Sequence, residues 1–495
     1  MEIFLKNNDY KYAVEQIMLM LFPGEKPIYP EKPSGALSAF VSLGRGGSYE
    51  TAFCRITRNG EGFTGMARAR ISDFTDEIVA ERLRQRAIKL AFYRAGVKAL
   101  GKKPVWGALS GIRPGKLMSD IIEEGTDGES AVRRFMKLYD ADRSRALLCL
   151  DTAHFGLKMQ SELSGRDICL YLGIPFCPTR CAYCSFVSQT VEKSMKLIPP
   201  FLEALWADIE ATADAVRKAG LRVISVYFGG GTPTTLSPGQ LDEVCRRLYG
   251  SFDLSACREF TVEAGRPDTI TPEKLDVLKK WGVGRVSVNP QTMSDEVLSL
   301  IGRRHTAQDV VEALEKVRAA GSFDVNMDLI AGLPGDTAES FAATLCRVLA
   351  LEPENITVHT LALKKGSRIT LSHTEIPGAE TVGEMLDGAE AALRAAGYVP
   401  YYLYRQKYMS GGFENVGWCR PGRENIYNIC IMEELCSIIA LGAGASTKLV
   451  SQTGRIERFF APKYPQEYIS GMDRVVSDKQ KIIEFYNSLS KEDEA

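Results

Sequence analysis

The stretch ICLYLGIPFCPTRCAYC, at residues 168–184, decides how the rest of the chain is interpreted. Its first half is an apolar run with aromatic and branched side chains, which is typical of a buried β-strand. Its second half holds Cys177, Cys181 and Cys184 with the spacing C-x3-C-x2-C. The sequence therefore predicts three thiols on a loop that directly follows the carboxyl end of a strand.

Outward from this strand, apolar runs alternate with helical stretches. Strands that alternate with helices indicate a parallel sheet. Six such units fit an open or closed α/β barrel, in which the chemistry lies at the carboxyl ends of the strands. The six runs are residues 168–174, 223–228, 259–264, 285–290, 323–330 and 356–363.

The chain divides into three predicted regions. Residues 1–160 contain glycine-broken strands and then a long helix, TDEIVAERLRQRAIKLAFYRAGVKALG, with a Thr or Asp start and a Gly stop. They predict an N-terminal α+β domain of unknown role. Residues 165–375 form the strand–helix region, and residues 376–495 are predicted as a C-terminal α/β extension that covers the substrate.

Composition narrows the class of protein. With 495 residues the chain is long enough for about two to four domains. Its 61 basic and 62 acidic side chains give no field that would draw it to nucleic acid or to a membrane surface. No signal peptide and no run of about 18 apolar residues is apparent. We expect a cytoplasmic protein without a membrane span or a nucleic-acid partner.

Cysteine usage points to metal binding. The chain has 12 cysteines, and without a signal peptide they indicate metal ligands or buried side chains rather than disulfides. Three thiolates within eight residues can hold one face of a [4Fe–4S] cluster and leave one iron free to bind the amino and carboxylate groups of S-adenosylmethionine (SAM). The alternatives are a zinc loop or a chance cluster. A structural or nucleic-acid-binding zinc protein would need a fourth ligand, and no His or Cys follows within a few residues.

Several motifs together resemble one family. YLGIPFC, CAYC, FGGGTPT, a Gln followed twelve residues later by an Arg, and DLIAGLPGDT are similar to the oxygen-independent coproporphyrinogen III oxidase family of the radical SAM superfamily. This resemblance covers about residues 165–375. GIRPGKL and YRQKYM…ENVGW…IYNI resemble its HemZ-type branch. The resemblance implies a partial (βα)6 radical SAM barrel, a [4Fe–4S] cluster on the three loop cysteines, and one or two SAM molecules.

The resemblance also assigns SAM-binding residues. A glycine-rich loop, FGGGTPTTL, lets backbone N–H groups approach a ligand, although an ordinary turn would have the same composition. Asp328 is the most informative single residue, because a carboxylate within an apolar strand is costly unless paired or ligated. Surface ion pairs for Glu263 or Arg303 and core packing for the tyrosines are the alternatives. The residues assigned to the cluster surroundings and SAM are Tyr171, Tyr183, Gly230, Gly231, Thr232, Glu263, Gln291, Arg303, Asp328 and Ala362.

A basic and aromatic cluster lies late in the chain. Aromatic walls with Arg or Lys would suit a flat porphyrinogen with anionic propionates. A solvated charged face beside a core is the alternative, and Arg405 is the predicted propionate ligand. The cluster comprises Lys364, Lys365, Arg368, Tyr401, Tyr402, Tyr404, Arg405, Lys407, Arg420 and Arg423.

By resemblance, the function is oxidative decarboxylation of coproporphyrinogen III to protoporphyrinogen IX in haem biosynthesis, with a one-electron donor such as flavodoxin or ferredoxin. A haem-binding chaperone of the same fold is one alternative, favoured by Phe186, where the oxidase branch has a cysteine. Another radical SAM reaction on a tetrapyrrole is a second. The motif EAGRPD at 263–268 departs from the family's usual E-x-D/N-P and weakens the assignment of Glu263.

Overall fold

The computed structural model describes residues 1–32, 35–184, 189–190, 194–321, 323–363, 367, 369, 374–406 and 410–492. The chain forms two compact units, Met1–Leu150 and Asp151–Ala495. The boundary between them follows Leu150, whereas the predicted N-terminal domain ends at residue 160. The further division of the second unit at residue 375 stays a prediction. No helix among the described residues is long and apolar enough to cross a membrane.

The N-terminal unit has the predicted α+β composition. Its sheet has the strand order β1-β2-β3-β4, with β1 parallel to β2 and the other neighbours antiparallel. Helices α1 and α2 cover one face of this sheet and bury its alternate side chains. The elements are β1 Glu2–Lys6, α1 Lys11–Leu21, β2 Leu37–Gly46, β3 Tyr49–Arg58, β4 Glu61–Arg70, α2 Glu77–Leu100, α3 Pro114–Glu123, α4 Gly128–Tyr139 and α5 Arg143–Glu162, which continues into the second unit.

Helix α2 begins and ends where the sequence predicts. The Asp76 carboxylate accepts a hydrogen bond from the Val79 backbone N–H at the first turn. Gly101 follows the last turn with a φ of +69°, a left-handed conformation that glycine adopts without steric cost. The helix crosses β4 so closely that a Cβ on Gly65 would collide with the Ala91 carbonyl oxygen and lie 2.5 Å from the Ala95 nitrogen.

We therefore expect Gly65→Ala to destabilise the protein by about 3 kcal/mol, because backbone atoms of α2 cannot move aside as a flexible side chain would. The urea concentration at half-unfolding measures this loss. Gly44→Ala on β2 is the matched control, since a Cβ there meets no atom within 4 Å. Equal midpoints for the two variants would contradict the close crossing.

The second unit is built on a mixed sheet, which has eleven strands in the described part of the chain. Its strands are β5 Asp167–Ile174, β8 Arg222–Gly230, β9 Glu259–Val262, β10 Arg285–Ser287, β11 Asp324–Ala331, β12 Asn355–Thr360, β13 Val399–Arg405, β14 Glu414–Cys419, β15 Ser437–Gly442, β16 Ser446–Val450 and β17 Ile456–Phe460. A separate pair joins β6 Phe176–Cys177 to β7 Gln189–Thr190. The helices are α6 Ile198–Lys218, α7 Pro238–Ser251, α8 Pro272–Lys280, α9 Asp295–Leu300, α10 Ala307–Ala320, α11 Ala338–Ala350, α12 Ala379–Ala395, α13 Ile426–Glu433, α14 Pro465–Ser470, α15 Met472–Asp478 and α16 Gln480–Glu492.

The predicted partial (βα)6 barrel with a C-terminal α/β extension is confirmed. Strands β5, β8, β9, β10, β11 and β12 are parallel neighbours in chain order. They do not close on one another in this sheet, because strands of the extension occupy both edges. Antiparallel β14 pairs with β12, and parallel β15 pairs with β5. The six carboxyl ends therefore meet at one end of an open barrel.

Buried polar contacts anchor the extension to the barrel. The Asp208 carboxylate on α6 is fully buried and pairs with the Lys479 ammonium at 2.7 Å. It also accepts hydrogen bonds from the Tyr468 hydroxyl and the Gly442 backbone N–H. At the other end of the barrel, the Glu259 carboxylate accepts the first free N–H groups of α13, from Ile426 and Tyr427. These bonds fix the first turn of α13 near the amino-terminal end of β9.

Candidate active site

A cavity of about 460 Å³ opens at the carboxyl ends of the six parallel strands. It brings together residues that are spread over almost two hundred positions of the sequence. Their proximity agrees with the prediction, whereas their individual roles stay predictions. The predicted residues that line the cavity are Tyr171, Cys177, Cys181, Tyr183, Cys184, Gly230, Gly231, Thr232, Glu263, Gln291, Arg303, Asp328 and Ala362.

The cysteine loop is held from both sides. The Cys184 backbone N–H donates to the Cys181 carbonyl at 3.2 Å and closes a turn between the second and third thiols. The Ala182 N–H donates to the Ile301 carbonyl just after α9. The Thr232 hydroxyl lies 3.5 Å from the Cys177 sulfur. Phe186, on which the distinction between oxidase and chaperone partly rests, lies outside the described residues.

Two buried guanidinium groups act on the central thiol. Burial alone would raise the pKa of Cys181, but the charges of Arg303 and Arg266 outweigh it and lower the pKa. Arg266 Nη1 lies 3.8 Å from the Cys181 sulfur and donates to the Thr179 hydroxyl at 2.9 Å. The thiolate is the form of cysteine that binds metals. The two arginines thus favour the metal-binding state of this loop.

The glycine-rich loop uses its amides differently from the prediction. The N–H groups of Gly231 and Thr232 donate to the carbonyls of Ile174 and Phe176, both at 2.7 Å, and are not available to a ligand. A Cβ on Gly231 would collide with the Phe176 carbonyl oxygen and lie 2.8 Å from that of Ile174. Gly230 has a φ of +100°. The glycines therefore allow this loop to pack directly on the cysteine loop.

Gln291 and Arg303 are positioned by backbone contacts. Gln291 adopts a left-handed φ of +67°, which is uncommon for a residue with a side chain, and its N–H donates to the Asp328 carbonyl. Arg303 donates from Nη1 to the Asn289 carbonyl at 2.6 Å and from Nη2 to the Tyr183 hydroxyl at 3.0 Å. Its buried Nε has no partner among the described residues. A free N–H donor in the cavity suits an anionic ligand group.

Glu263 lies in the cavity, and the pKa of its carboxyl group is raised. Burial is the main cause that raises the pKa of its carboxyl to about 7, and the negative charge of Asp328 adds to it. The Tyr227 hydroxyl donates to Oε1 at 2.7 Å and opposes that rise. Burial disfavours the charged form of this carboxyl group, and a bound cation would stabilise that form. The pKa of the group would therefore fall more on cation binding than the pKa of an exposed carboxyl group would. Glu263 is therefore suited to an ammonium partner.

Asp328 is paired, as the cost of burying its carboxylate requires. Asn289 and Asn326 each donate a side-chain N–H to it at 2.8 Å, and His359 Nε2 lies 3.7 Å away. Burial would raise its pKa, but the hydrogen bond and charge of His359 and the amide of Asn326 lower it. The Tyr404 hydroxyl lies 3.5 Å from the other nitrogen of His359. Asp328 is thus held ionised as a hydrogen-bond acceptor.

Tyrosine rings form one wall of the cavity. The ring of Tyr427 on α13 stacks on those of Tyr227 and Tyr171, with centroids 4.3 and 6.0 Å apart. Tyr402 and Tyr404 on β13 stack on each other at 6.4 Å and also line the cavity. Such a wall suits a flat, largely apolar ligand that is bound by its faces.

The predicted propionate ligand does not reach this wall. Arg405 is not among the residues that line the cavity, and its guanidinium donates from Nε and Nη2 to the Gly412 carbonyl. Side chains alternate along a strand, so the even-numbered Tyr402 and Tyr404 face the cavity and Arg405 points away from it. Arg420 and Arg423 pair instead with Glu352 and Asp324. Lys364, Lys365, Arg368 and Lys407 lie outside the described residues.

Several cavity residues were missed from the sequence. Arg266 belongs to the EAGRPD motif, where the departure from the family pattern was a signal, and His359 lies within the sixth apolar run. Asn289 directly precedes the Pro-Gln pair at the fourth strand end. Tyr427 belongs to the IYNI motif, but the motif did not indicate a place in the cavity, because that place depends on the folding of α13 into the barrel.

The cysteine loop fits a cluster better than a single ion. Among the described residues, a group of three metal-ligating atoms within 4.8 Å of one another does occur, but it consists of Cys169, Cys430 and Cys436. The three sulfurs of the cysteine loop do not all lie within 4.8 Å of one another. Such wider spacing is expected of sulfurs that bind separate irons of one cluster. The unpartnered nitrogens Arg266 Nη2 and Arg303 Nε add donors for anionic groups beside the loop.

Comparison with known proteins agrees with this site. Residues 171–346 match the model of the radical SAM superfamily. The chain is 40% identical over 385 residues to the oxygen-independent coproporphyrinogen-III oxidase-like protein HemZ of Bacillus subtilis, an alignment that covers 77% of each chain.

More distant similarities were also found. The haem chaperone HemW of Haemophilus influenzae is 27% identical over 308 residues, which is 61% of this chain and 76% of that protein. The solved structure of coproporphyrinogen III oxidase (HemN) from Escherichia coli, described as a radical SAM enzyme, aligns with a TM-score of 0.49 and 23% identity. It covers 62% of this chain and 74% of the other.

Proposed function

Because the chain belongs to the radical SAM superfamily and, within it, to the HemZ-type branch of the oxygen-independent coproporphyrinogen III oxidase family, we propose that it converts coproporphyrinogen III to protoporphyrinogen IX. Its cofactors are a [4Fe–4S] cluster and SAM. In the proposed reaction, two propionates become vinyl groups. Each propionate loses a hydrogen atom from its β-carbon, carbon dioxide and one electron.

One observation carries this proposal. The three loop cysteines, the glycine-rich loop and polar residues in or just after β9, β10, β11 and β12 open into the same cavity as the tyrosine wall. A flat tetrapyrrole against that wall would lie beside the cysteine loop, and the 40% identical relative is named for its likeness to the oxidase. The tyrosine wall beside the cysteine loop and the name of the relative both support a tetrapyrrole substrate. The relative's name also supports the oxidase reaction.

We assign roles to the chain's own groups as follows. Cys177, Cys181 and Cys184 would hold the cluster, with Arg266 and Arg303 compensating its negative charge. Glu263 would accept hydrogen bonds from the SAM ammonium, and the free Nε of Arg303 would donate to an anionic group. When bound and reduced, the cluster and SAM together supply the 5′-deoxyadenosyl radical that takes the hydrogen atom. The remaining predicted SAM contacts are Tyr171, Tyr183, Gly230, Gly231, Thr232, Gln291, Asp328 and Ala362.

The tyrosine wall would also protect the reaction. Exclusion of water and of other hydrogen donors limits side reactions of a reactive intermediate. An external one-electron donor such as flavodoxin or ferredoxin would reduce the cluster. The number of bound SAM molecules, one or two, is measurable by binding to the reconstituted protein.

Anaerobic turnover tests the proposal. The reconstituted, reduced protein is incubated with SAM and coproporphyrinogen III. The porphyrinogen products are then oxidised to porphyrins, and their masses are measured by mass spectrometry. We expect 5′-deoxyadenosine and a product lighter by two formic-acid equivalents. Cys181→Ala is the inactive control. Deoxyadenosine without a change in the porphyrinogen mass would reject this substrate and would leave another radical SAM reaction on a tetrapyrrole.

Haem binding without turnover is the second candidate. The similarity to the haem chaperones of Haemophilus influenzae and Bacillus subtilis supports it. A chaperone would retain haem through gel filtration and would not require SAM cleavage to do so. Stable haem retention together with an unchanged porphyrinogen mass would favour this function over the oxidase.

A further inference from the structure

Three cysteines outside the cysteine loop converge in the core of the barrel. Cys169 lies on β5, Cys430 on α13, and Cys436 directly before β15. All three are buried, with exposed fractions of 0%, 0% and 5%. They come from parts of the chain up to 267 residues apart. We call this group the core thiol triad.

The spacing of the triad matches a single metal ion. The three sulfurs lie within 4.8 Å of one another, and those of Cys169 and Cys436 are 3.7 Å apart. Metal–sulfur bonds of about 2.3 Å place two thiolates of one ion about 3.8 to 4.0 Å apart in tetrahedral or trigonal geometry. The spacing is too short for cysteines that ligate separate irons of a cluster. The triad therefore has the geometry of a mononuclear sulfur site.

Its surroundings favour a soft ion with few ligands. The triad packs among Ile224, Ile429, Ile438 and the ring of Tyr427. Among the described residues, the ligand group contains no His, Asp or Glu as a fourth member. Zinc sites are almost always four-coordinate, whereas thiolates also select univalent copper. An apolar site with three sulfurs thus suits copper(I) better than zinc.

Coincidental packing of three buried cysteines explains the short sulfur–sulfur distances less well than a metal site does. Cys54 and Cys245 are buried cysteines that lie singly in their cores, as small apolar side chains do. In the triad, a strand, a helix and a loop each direct one sulfur to the same point. We propose that Cys169, Cys430 and Cys436 form a second metal site, which binds one thiophilic ion such as copper(I) through three sulfurs.

The position of the triad gives the site a structural consequence. Cys169 and Tyr171 are two residues apart on β5 and so share one face of the strand. Cys430 follows Tyr427 by three residues on α13, close to one helical turn. A bound ion would therefore join β5, α13 and the start of β15 beneath the tyrosine wall. This site is independent of the reaction proposed for the cavity above it.

Competition for copper(I) tests the site. The full chain carrying Cys177→Ala, Cys181→Ala and Cys184→Ala serves as the parent, because it cannot bind metal through the loop. Under anaerobic, reducing conditions it is titrated with copper(I) held by a chromophoric chelator. We expect the parent to remove one equivalent of copper, and Cys436→Ser in the parent to lower the affinity at least about tenfold. Cys245→Ser in the same parent is the matched control and should bind like it.

Two further measurements keep the test decisive. If Cys436→Ser fails to fold by circular dichroism, Cys430→Ala replaces it. The X-ray absorption spectrum of copper in the parent should show three sulfur neighbours. A parent that leaves the copper with the chelator, a Cys436→Ser variant that binds like the control, or a spectrum with nitrogen or oxygen ligands would each overturn the site.

Discussion

The Cys181→Ala protein should lose both the visible absorbance of the cluster and the ability to cleave SAM, with a fall in deoxyadenosine formation of more than about a thousandfold. Cys181 is the central thiol of the loop, and the charges of Arg303 and Arg266 favour its thiolate. Without it, only two loop cysteines remain, and the buried guanidinium groups of Arg303 and Arg266 lose the thiolate beside them. The measurements are iron content after anaerobic reconstitution and deoxyadenosine released with a chemical reductant.

The control for this variant is Cys346→Ala, which removes an exposed cysteine of the barrel's outer helix α11. It should keep its iron and its SAM cleavage, and both variants should unfold at similar temperatures. Full iron content in Cys181→Ala, or zinc in place of iron in the unmodified protein, would refute the ligand assignment and with it the radical chemistry.

Local signals predicted most of the fold. The Asp76 and Gly101 ends of α2 were visible because helix caps depend on residues within one turn. The six parallel strands were visible because each is a short apolar run between helical stretches. The edges of the sheet were not predicted in detail. Whether β14 or β15 extends a given edge depends on long-range pairing that no local pattern records.

The site was predicted where the chain itself brings residues to strand ends. Glu263 and Gln291 follow the strands of two successive units, Asp328 lies within the strand of the next unit, and all three line one cavity. The orientation of the side chains in the late basic and aromatic cluster was not predicted, because composition does not reveal orientation. Tyr404 faces the cavity while its neighbour Arg405 turns away to the Gly412 carbonyl.

The backbone contacts of the glycine-rich loop were also not predictable from composition. A run of glycines indicates close backbone approach but not what is approached. Here the N–H groups of Gly231 and Thr232 bind the cysteine loop. If this loop contacts the SAM amino group, which is a hydrogen-bond donor, it must do so through acceptors, and its carbonyls are the groups that remain.

Glu263→Gln is expected to stabilise the empty protein and to weaken SAM binding. The folded-state pKa of about 7 lies above the ordinary value of 4.5, so the folded protein holds an extra proton between these pH values. Stability therefore falls as the pH rises through this window, and the full cost, about 3 kcal/mol, is present above pH 7. Gln removes that cost and can still accept the Tyr227 hydroxyl bond. The unfolding midpoint in urea at pH 8 measures the gain.

The same substitution separates a functional carboxylate from a merely buried one. If Glu263 binds the SAM ammonium, Gln should raise the Kd at pH 8 about ten- to hundredfold, as expected for a hydrogen bond between charged groups. The unmodified protein should bind SAM more weakly as the pH falls from 8 to 6, because protonation neutralises the carboxyl, and the variant should lose that part of the dependence. Glu296→Gln, on the exposed face of α9, is the charge control. A variant that is more stable at pH 8 but binds SAM as tightly as the control would show that Glu263 is strained by burial and not used for SAM.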